Sequence, residues 1–271
     1  MKIEKNIFYD LEYEELKAYL SNSFNLDEKK SSMRANQIWK FVYKKGLMQV
    51  DSFLNISNAL KENLENKIDF DRIKISEEKK SVDGTIKWLL KLKDNNLVEA
   101  VYIPFGKTGT LCISSQVGCT LNCKFCHTGT QMMVRNLDTS EIIQQLLIAK
   151  DRLTDWGGEK KIRNIVYMGM GEPFYNYSNV KKSINILNNN FGLNYSPGRI
   201  TVSTAGVTPQ ILEAANEIKT CLALSLHAPN DEIREKIMPI NKKYKIADLI
   251  FSCSSYAKKN NEKIFLEYVL L

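Results

Sequence analysis

Apolar residues recur at helical spacing through the first quarter of the chain. Leu16 and Leu20 lie four residues apart, which places them on one face of a helix. Similar spacing returns around Trp39 and again over residues 54–64. The pattern predicts a small helical domain over residues 1–70.

Beyond this region the sequence becomes strand-like. Two apolar runs, over residues 85–92 and 97–103, flank a turn-forming Asp-Asn-Asn triplet. We therefore predict a β-hairpin within residues 71–107 that links the helical domain to the main one.

From about residue 108 onward, short runs rich in Val, Ile and Leu alternate with helical segments. The predicted strands cover residues 110–114, 162–168, 199–203, 221–226 and 264–270. Between the first two, Asp138 and Glu141 are spaced like a capping box at the start of a helix. Repeated strand–helix units predict an α/β fold with a partial parallel barrel over residues 108–271. In such folds the ligand site lies at the carboxyl ends of the strands.

The bulk composition is that of an ordinary globular protein, since 44% of the 271 residues are hydrophobic and 25% are charged. No stretch approaches the roughly 18 to 20 consecutive apolar residues of a membrane helix, and the first residues carry no secretory signal. The sequence therefore predicts a soluble, cytoplasmic protein without a membrane partner, in which the cysteines stay reduced.

Basic residues are in excess, with 38 Lys and Arg against 31 Asp and Glu and a net charge of +7. Several occur as doublets, such as Lys44-Lys45 and Lys242-Lys243. Such an excess suits a polyanionic partner, because cations that neutralise phosphates release counterions. Solvated helix faces are the simpler explanation for more than half of the doublets. The charge permits an RNA partner without requiring one.

Three of the six cysteines, Cys119, Cys123 and Cys126, form a C-x3-C-x2-C run. With this spacing three thiolates can hold a [4Fe-4S] cluster and leave its fourth iron free to bind a substrate or cofactor. A structural zinc site needs a fourth ligand, and the nearby candidate His127 directly follows Cys126, which is an awkward fit. A catalytic zinc with three thiolates departs from the usual set of His and carboxylate ligands. The run therefore favours an iron–sulfur cluster, with zinc as the alternative.

Glycine and polar residues follow the predicted strands directly. Gly171 and Glu172 follow the second strand, Ser203 stands at the end of the third, and Ser225 and His227 stand at the end of the fourth. Taken singly, each belongs to an ordinary turn. Because all three loops share one rim with the cysteine run, they predict a ligand site that hydrogen-bonds an amine, a carboxylate or a ribose.

Together these motifs resemble those of the radical S-adenosylmethionine (SAM) enzymes, and within them the methyltransferases that modify C2 of adenine in 23S rRNA and certain tRNAs. The matching segments run through nearly the whole chain and cover residues 98–104, 111–126, 168–173, 224–230 and 239–244. The cysteine run alone marks only the superfamily. Cys112, seven residues before Cys119, and the Ser-Leu-His-Ala-Pro-Asn segment are specific to the family.

The resemblance implies that Cys119, Cys123 and Cys126 hold a [4Fe-4S] cluster, whose open iron chelates SAM and whose electron cleaves it to a 5′-deoxyadenosyl radical. The family uses radical chemistry because C2 of adenine is too electron-poor to attack the methyl group of SAM as a nucleophile. By the same resemblance, five strand-end residues contact SAM: Gly171, Glu172, Ser203, Ser225 and His227. Gly171 and Glu172 contact its amino group.

Two further residues gain a role from the resemblance. A glutamate matching Glu99 removes the C2 proton from an adenine that is tethered to a methyl-carrying cysteine of the family's C-terminal part. A cysteine matching Cys112 then attacks the tether and releases methylated RNA as a disulfide forms. From the strand pattern alone, Glu99 is a solvent-facing position and Cys112 a buried strand thiol.

The resemblance also implies 23S rRNA and tRNA as partners, an RNA-contacting role for residues 1–70, an electron donor such as flavodoxin, and a monomeric protein. Two alternatives stay open. One is the related methyltransferase that acts at adenine C8 and confers antibiotic resistance. The other is a non-catalytic RNA-binding protein with a structural zinc or iron–sulfur site.

The chain ends at Leu271, within the predicted fifth barrel strand, whereas the family continues well beyond this point. No cysteine here matches the methyl carrier, since Cys221 and Cys253 fit buried core positions. We therefore expect a truncated member, from an incomplete gene or clone, with an exposed strand edge and lowered stability. Such a chain could cleave SAM but is expected to be inactive in methyl transfer.

Overall fold

The structure, a computed structural model that describes residues 5–158 and 160–270, is built around one mixed sheet of eight strands. In chain order these are β1 (Lys74–Lys80), β2 (Ile86–Lys91), β3 (Leu97–Phe105), β4 (Thr108–Cys112), β5 (Ile162–Tyr167), β6 (Ile200–Thr204), β7 (Cys221–Ser225) and β8 (Ile264–Glu267). They lie side by side in sequence order, with β1 and β8 at the edges. Strands β1 to β4 pair antiparallel. Strands β4 to β8 pair parallel, as a partial barrel requires.

The described residues form eight α-helices around this sheet. They are α1 (Tyr13–Phe24), α2 (Glu28–Tyr43), α3 (Asn58–Lys67), α4 (Thr139–Leu153), α5 (Tyr177–Asn188), α6 (Thr208–Glu217), α7 (Asp231–Ile237) and α8 (Ile246–Asn260). Helices α4, α5 and α6 each connect two successive parallel strands, and α7 with α8 connects β7 to β8. The predicted α/β fold, with a helical N-terminal region and a partial parallel barrel, is confirmed.

Helix α4 begins where the sequence predicts. The Glu141 carboxylate accepts the backbone N–H of Asp138 at 3.0 Å, and the Asp138 side chain caps the first turn in return. The helix is buried along most of its length, over residues 139–150. The backbone N–H of Ser140 donates to the Asp10 carboxylate at 2.7 Å. The capping box thus starts α4, and the Asp10 contact ties that start to the N-terminal region.

One face of the parallel sheet is an apolar surface covered by helices. Residues paired across neighbouring strands point to the same side, and alternate residues along a strand point to opposite sides. The helix-covered face carries fully buried side chains from four strands: Leu111, Ile165, Val202, Leu222 and Leu224. This face forms the core of the main domain.

The other face of the sheet is more open and carries polar side chains. Strand register places Cys112 on it, paired with Val166 of β5. The same alternation places Ser203 of β6 on this face, and Ser225 of β7 is paired with Glu267 of β8. Because β4 to β8 run parallel, the polar residues near their carboxyl ends gather at one end of this face.

The N-terminal helices enclose an aromatic cluster: Phe8, Trp39, Tyr43, Phe53 and Phe70. The rings of Phe8 and Phe70 stack with 4.9 Å between their centroids. The ring of Tyr13 stacks on Phe191, which follows α5, at 4.8 Å. The helical region is therefore packed against the α5 side of the main domain.

The hairpin prediction was incomplete. Its two strands, predicted over 85–92 and 97–103, are confirmed as β2 and β3. Strand β1 was missed because its sequence is charged and none of its side chains is buried, so it carries no apolar alternation. The proposed domain boundaries after residues 70 and 107 stay predictions.

The fifth parallel strand is shorter than predicted. Strand β8 ends at Glu267, whose carbonyl oxygen accepts the backbone N–H groups of Leu226 and His227. The following backbone turns away from the ladder, and the N–H of Val269 donates to the His227 ring at 3.1 Å. Leu271, also assigned to this strand by the sequence pattern, lies outside the described residues.

Across the described residues, every helix is too short or too polar to cross a membrane.

Candidate active site

A cavity of about 470 Å³ opens at the carboxyl ends of the parallel strands. Eight residues singled out from the sequence line it together: Cys119, Cys123, Cys126, Gly171, Glu172, Ser203, Ser225 and His227. Glu99 and Cys112 do not line the cavity. The strand-end rule therefore predicted which loops converge, although the loops are far apart in sequence.

The cysteine run lies on a loop that is closed at its base by a short antiparallel pair, Gln116–Val117 with Arg135–Asn136. Gly118 starts the loop with φ of +80°, and a Cβ at this position would collide with the carbonyl oxygen of Met132. Only glycine fits such a turn without displacing its neighbours. The backbone N–H of Lys124 donates to the carbonyl of Ile237 at the end of α7, at 2.9 Å. The loop is thus anchored at both its base and its tip.

Burial and the neighbouring thiols affect the ionisation of Cys119 and Cys123. Burial raises the pKa of Cys119, and it raises the pKa of Cys123 to about 12, with further contributions from the neighbouring thiols. Within the described residues, no group of three His, Cys, Asp or Glu side chains has the geometry of a metal site. The donor set, three thiols on one loop and one cavity wall, fits the chemistry of an iron–sulfur cluster.

The Gly171-Glu172 turn after β5 brings a carboxylate to the floor of the cavity. Gly171 has φ of +98°, and a Cβ there would collide with the side chain of Gln116. The Glu172 carboxylate accepts the backbone N–H of Ala205 at 2.7 Å and that of Phe174 at 3.1 Å. Burial nevertheless raises the pKa of Glu172 to about 7, and the hydrogen bonds only partly oppose this. The group is therefore poised to change charge near neutral pH.

Ser203 and Ser225 share an acidic partner that the sequence reasoning missed. Their hydroxyl groups donate to the same carboxylate oxygen, Oε2 of Glu267, at 3.0 and 3.3 Å. Glu267 also lines the cavity. The rule that selected Glu172, a polar residue at the carboxyl end of a parallel strand, applies equally to Glu267. The signal was present and was overlooked because this strand was predicted to extend to residue 270.

His227 occupies a strained backbone position at the cavity wall, with φ of +57°. Its Nδ1 accepts the backbone N–H of Val269, so the neutral ring carries its proton on Nε2. The ring of Phe125, from the cysteine loop, meets it edge-on with 4.6 Å between centroids. Burial lowers the pKa of His227, and nearby Arg234 lowers it further while Glu267 opposes. At neutral pH this residue is an uncharged hydrogen-bond donor.

Glu99 and Cys112 lie next to the cavity, on the same open face of the sheet. The Glu99 carboxylate pairs with Lys87 of β2 at 2.8 Å and is half exposed. Burial raises the pKa of Cys112 to about 11, and the negative charges of Glu267 and Glu99 add to this effect. The thiol is therefore protonated in the resting protein.

The remaining cysteines lie elsewhere. Cys253 is buried in α8 with 3% of its surface exposed, and Cys221 is buried at the start of β7 with 7% exposed. Both positions agree with the predicted core roles. A larger cleft of about 890 Å³ lies by the opposite ends of the strands, near Arg163 and Arg199, and none of the predicted site residues lines it.

Comparison with known protein families gives two matches. The model of the radical SAM superfamily matches residues 113–270. The model of the ribosomal RNA large subunit methyltransferase N-terminal domain matches residues 6–69. Between them the two models cover the cysteine loop, the strand-end turns and the N-terminal helices.

Several curated proteins are similar along most of this chain. A dual-specificity RNA methyltransferase RlmN of Parvibaculum lavamentivorans is 47% identical over 262 residues, which cover 92% of this chain and 66% of that protein. A protein of the same name from Chelativorans sp. is 45% identical over 287 residues, covering 99% of this chain and 70% of that protein. The chain therefore spans about two thirds of the length of these relatives.

A solved structure shares the fold. The crystal structure of a radical SAM methyltransferase from Sphaerobacter thermophilus superposes with a TM-score of 0.88 at 35% sequence identity. The match covers 98% of this chain and 76% of that one.

Proposed function

The chain belongs to the RlmN family of radical SAM enzymes, and from this membership we propose that it serves the SAM-dependent methylation of adenine C2 in 23S rRNA and tRNA. One observation supports the proposal above the others. Three thiols, the buried carboxylate of Glu172 and the polar group around Ser203, Ser225 and His227 line a single cavity. This arrangement offers one wall for a cluster and the rest for the molecule that binds to it.

We assign the cluster to Cys119, Cys123 and Cys126, which leave one iron open. When bound, the cluster supplies the electron that cleaves SAM and so starts radical chemistry. The chain's own residues bind SAM and orient it. Glu172 is placed to accept a hydrogen bond from an amino group of the ligand, because its carboxylate lacks a cationic partner within the described residues.

His227 contributes a neutral donor, since its Nδ1 is occupied by Val269 and its Nε2–H is free for a ligand in the cavity. The hydroxyl oxygens of Ser203 and Ser225 contribute acceptors, because their protons are donated to Glu267. A ligand with both donors and acceptors, as SAM has, is thereby held in one orientation.

The later steps are assigned to Glu99 and Cys112. Glu99 accepts the C2 proton, and Lys87 holds its carboxylate in an ion pair at 2.8 Å. Cys112 resolves the covalent adduct on the methyl-cysteine route of the family and must lose its thiol proton to act. The family places the methyl-carrying cysteine at a position that no residue of this sequence matches.

The proposed substrates are 23S rRNA and tRNA, with residues 1–70 as the RNA-contacting region. The basic excess of the whole chain suits an RNA partner, and it lies outside residues 1–70, where 11 basic and 11 acidic residues balance. An electron donor such as flavodoxin, a monomeric state and a cytoplasmic location complete the proposal.

Anaerobic reconstitution with iron and sulfide tests the proposal, followed by electron paramagnetic resonance of the reduced protein with and without SAM. We expect a cluster signal that changes when SAM is added. Cys123→Ala should abolish the cluster, whereas Cys253→Ala, at a buried thiol outside the cavity, should retain it. One bound zinc and no sulfide would instead favour the non-catalytic RNA-binding alternative. In a chain that also carries the family's methyl-carrying cysteine, mapping the methylated carbon of treated RNA separates C2 from C8 chemistry.

A further inference from the structure

Glu267 is placed as a ligand-binding group by three observations on its carboxylate. Oxygen Oε2 accepts the hydroxyl protons of both Ser203 and Ser225. Among the described residues, no donor reaches Oε1 and no Lys or Arg pairs with this carboxylate. The side chain lines the cavity. Glu267 therefore holds two serines with one oxygen and presents the other to whatever enters.

The strand itself does not need this side chain. The contacts that end β8 use the backbone carbonyl of Glu267, which accepts the N–H groups of Leu226 and His227. The neighbour of Ser203 on β7 is Ala223, whose small side chain lets the Glu267 carboxylate reach across the strand to that serine. A carboxylate facing two hydroxyl groups is thus a feature of the cavity, and strand pairing does not explain it.

The cavity lining limits what Glu267 can bind. Two carboxylates, Glu172 and Glu267, line it, and no Lys or Arg does within the described part of the chain. A buried or half-buried carboxylate oxygen without a donor favours a ligand that supplies one. Glu172 lies with the three cysteines, whereas Glu267 lies with Ser203, Ser225 and His227. The two acids therefore serve different parts of one ligand.

We infer that Glu267 accepts hydrogen bonds from the ribose hydroxyl groups of SAM, and that it fixes Ser203 and Ser225 as acceptors at the same end of the cavity. The inference rests on the proposed function, because it concerns the nucleoside half of the same ligand. A vicinal diol supplies two adjacent donors, which match a carboxylate oxygen left open beside two committed serines.

The test is equilibrium binding to the cluster-reconstituted full chain. The probes are S-adenosylhomocysteine and its 2′-deoxy and 3′-deoxy forms, which report the hydroxyl groups without reaction. Glu267→Gln keeps the shape of the side chain and removes its charge. Glu213→Gln, on the exposed face of α6, is the matched control. Circular dichroism and thermal melting of each variant confirm that it is folded.

The wild type should bind at least one deoxy form ~10- to ~100-fold more weakly than S-adenosylhomocysteine, the range expected for a lost hydrogen bond to a charged group. Glu267→Gln should bind S-adenosylhomocysteine more weakly and should distinguish it less from that deoxy form, because an amide oxygen is a weaker acceptor than a carboxylate. Glu213→Gln should behave like the wild type.

Equal discrimination by the wild type and Glu267→Gln would overturn the inference, because a merely structural role would weaken all three ligands alike. Equal affinity of the wild type for all three ligands would overturn it without any variant. In both cases binding of S-adenosylhomocysteine leaves the proposed function standing. If the reconstituted wild type binds none of the three, the proposed function falls and the inference falls with it.

Discussion

Replacing Glu172 by Gln should change how the stability of the cluster-free protein depends on pH. Glu172 is 2% exposed, and burial raises its pKa from 4.5 in the unfolded chain to about 7 in the folded one. A carboxyl group with a raised folded pKa binds a proton more tightly when folded. Ionisation of Glu172 therefore costs the protein no folding stability below pH 4.5. The loss of stability grows as pH rises and is complete above pH 7.

The size of the effect follows from the two pKa values. At about 1.4 kcal/mol for each pKa unit, the full penalty is about 3 kcal/mol, and about 2 to 3 kcal/mol of it develops between pH 5 and pH 8. Gln cannot ionise, so Glu172→Gln should lack this loss. The amide also replaces one acceptor oxygen that now receives the N–H of Ala205 or Phe174. Losing this hydrogen bond lowers the free energy of unfolding by about 1 to 3 kcal/mol. The loss does not depend on pH, so it cancels when the change in stability between pH 5 and pH 8 is compared.

Urea unfolding of the wild type and Glu172→Gln at pH 5 and pH 8, without cluster, measures the difference. From pH 5 to pH 8, the free energy of unfolding of the wild type should fall by about 2 to 3 kcal/mol more than that of the variant. Other titrating groups, His227 among them, are common to both proteins. Glu213→Gln, an exposed acid, should follow the wild type. Parallel pH dependence in the wild type and Glu172→Gln would refute the raised pKa assigned to the buried Glu172.

Three further outcomes are expected. Because burial raises the pKa of Glu172 to about 7 in the cluster-free protein, SAM binding by the reconstituted protein should strengthen more between pH 6 and pH 8 in the wild type than in Glu172→Gln, as calorimetry at the two pH values measures. The pKa of Cys112 is about 11, so its alkylation by iodoacetamide at pH 7.5 should be ~100-fold slower than that of a free cysteine. Mass spectrometry of the alkylated peptide measures the rate. A rate like that of a free thiol would contradict the protonated state of Cys112. Gly118→Ala should collide with Met132 and abolish iron incorporation, measured by metal analysis, whereas Gly106→Ala, also at positive φ but with no atom near the added Cβ, should retain it.

The location of the candidate site could be predicted from the sequence because it depends on short, local signals. Spacing alone selected the cysteine run, and each strand end is visible where an apolar run gives way to glycine or a polar residue. The α/β order then implied that the loops after β5, β6 and β7 meet, since parallel strands end at a common rim. The structure brings Glu172, Ser203 and Ser225 to one cavity as that argument requires.

The sequence could not predict which side chains contact each other in the folded protein. The shared Glu267 partner of Ser203 and Ser225 depends on a carboxylate reaching across β7, and no periodicity encodes it. Strand β1 was missed because its residues are charged and none of its side chains is buried, so it shows no apolar alternation. The pairing of Glu99 with Lys87 likewise follows from antiparallel register, which fixes neighbours only after the turn geometry is known.

The charge of the cavity is opposite to the charge of the whole chain, and this separates the two ligands of the proposed reaction. The chain carries a net charge of +7, which favours association with RNA over its surface. The described cavity lining holds two carboxylates and three thiols but no Lys or Arg. A phosphate that entered would lose its hydration without gaining a cation, whereas the amino N–H groups and the sulfonium of SAM would meet acidic partners. For the proposed reaction, this lining favours entry of SAM over entry of the RNA backbone, so that only an uncharged base need approach the strand ends.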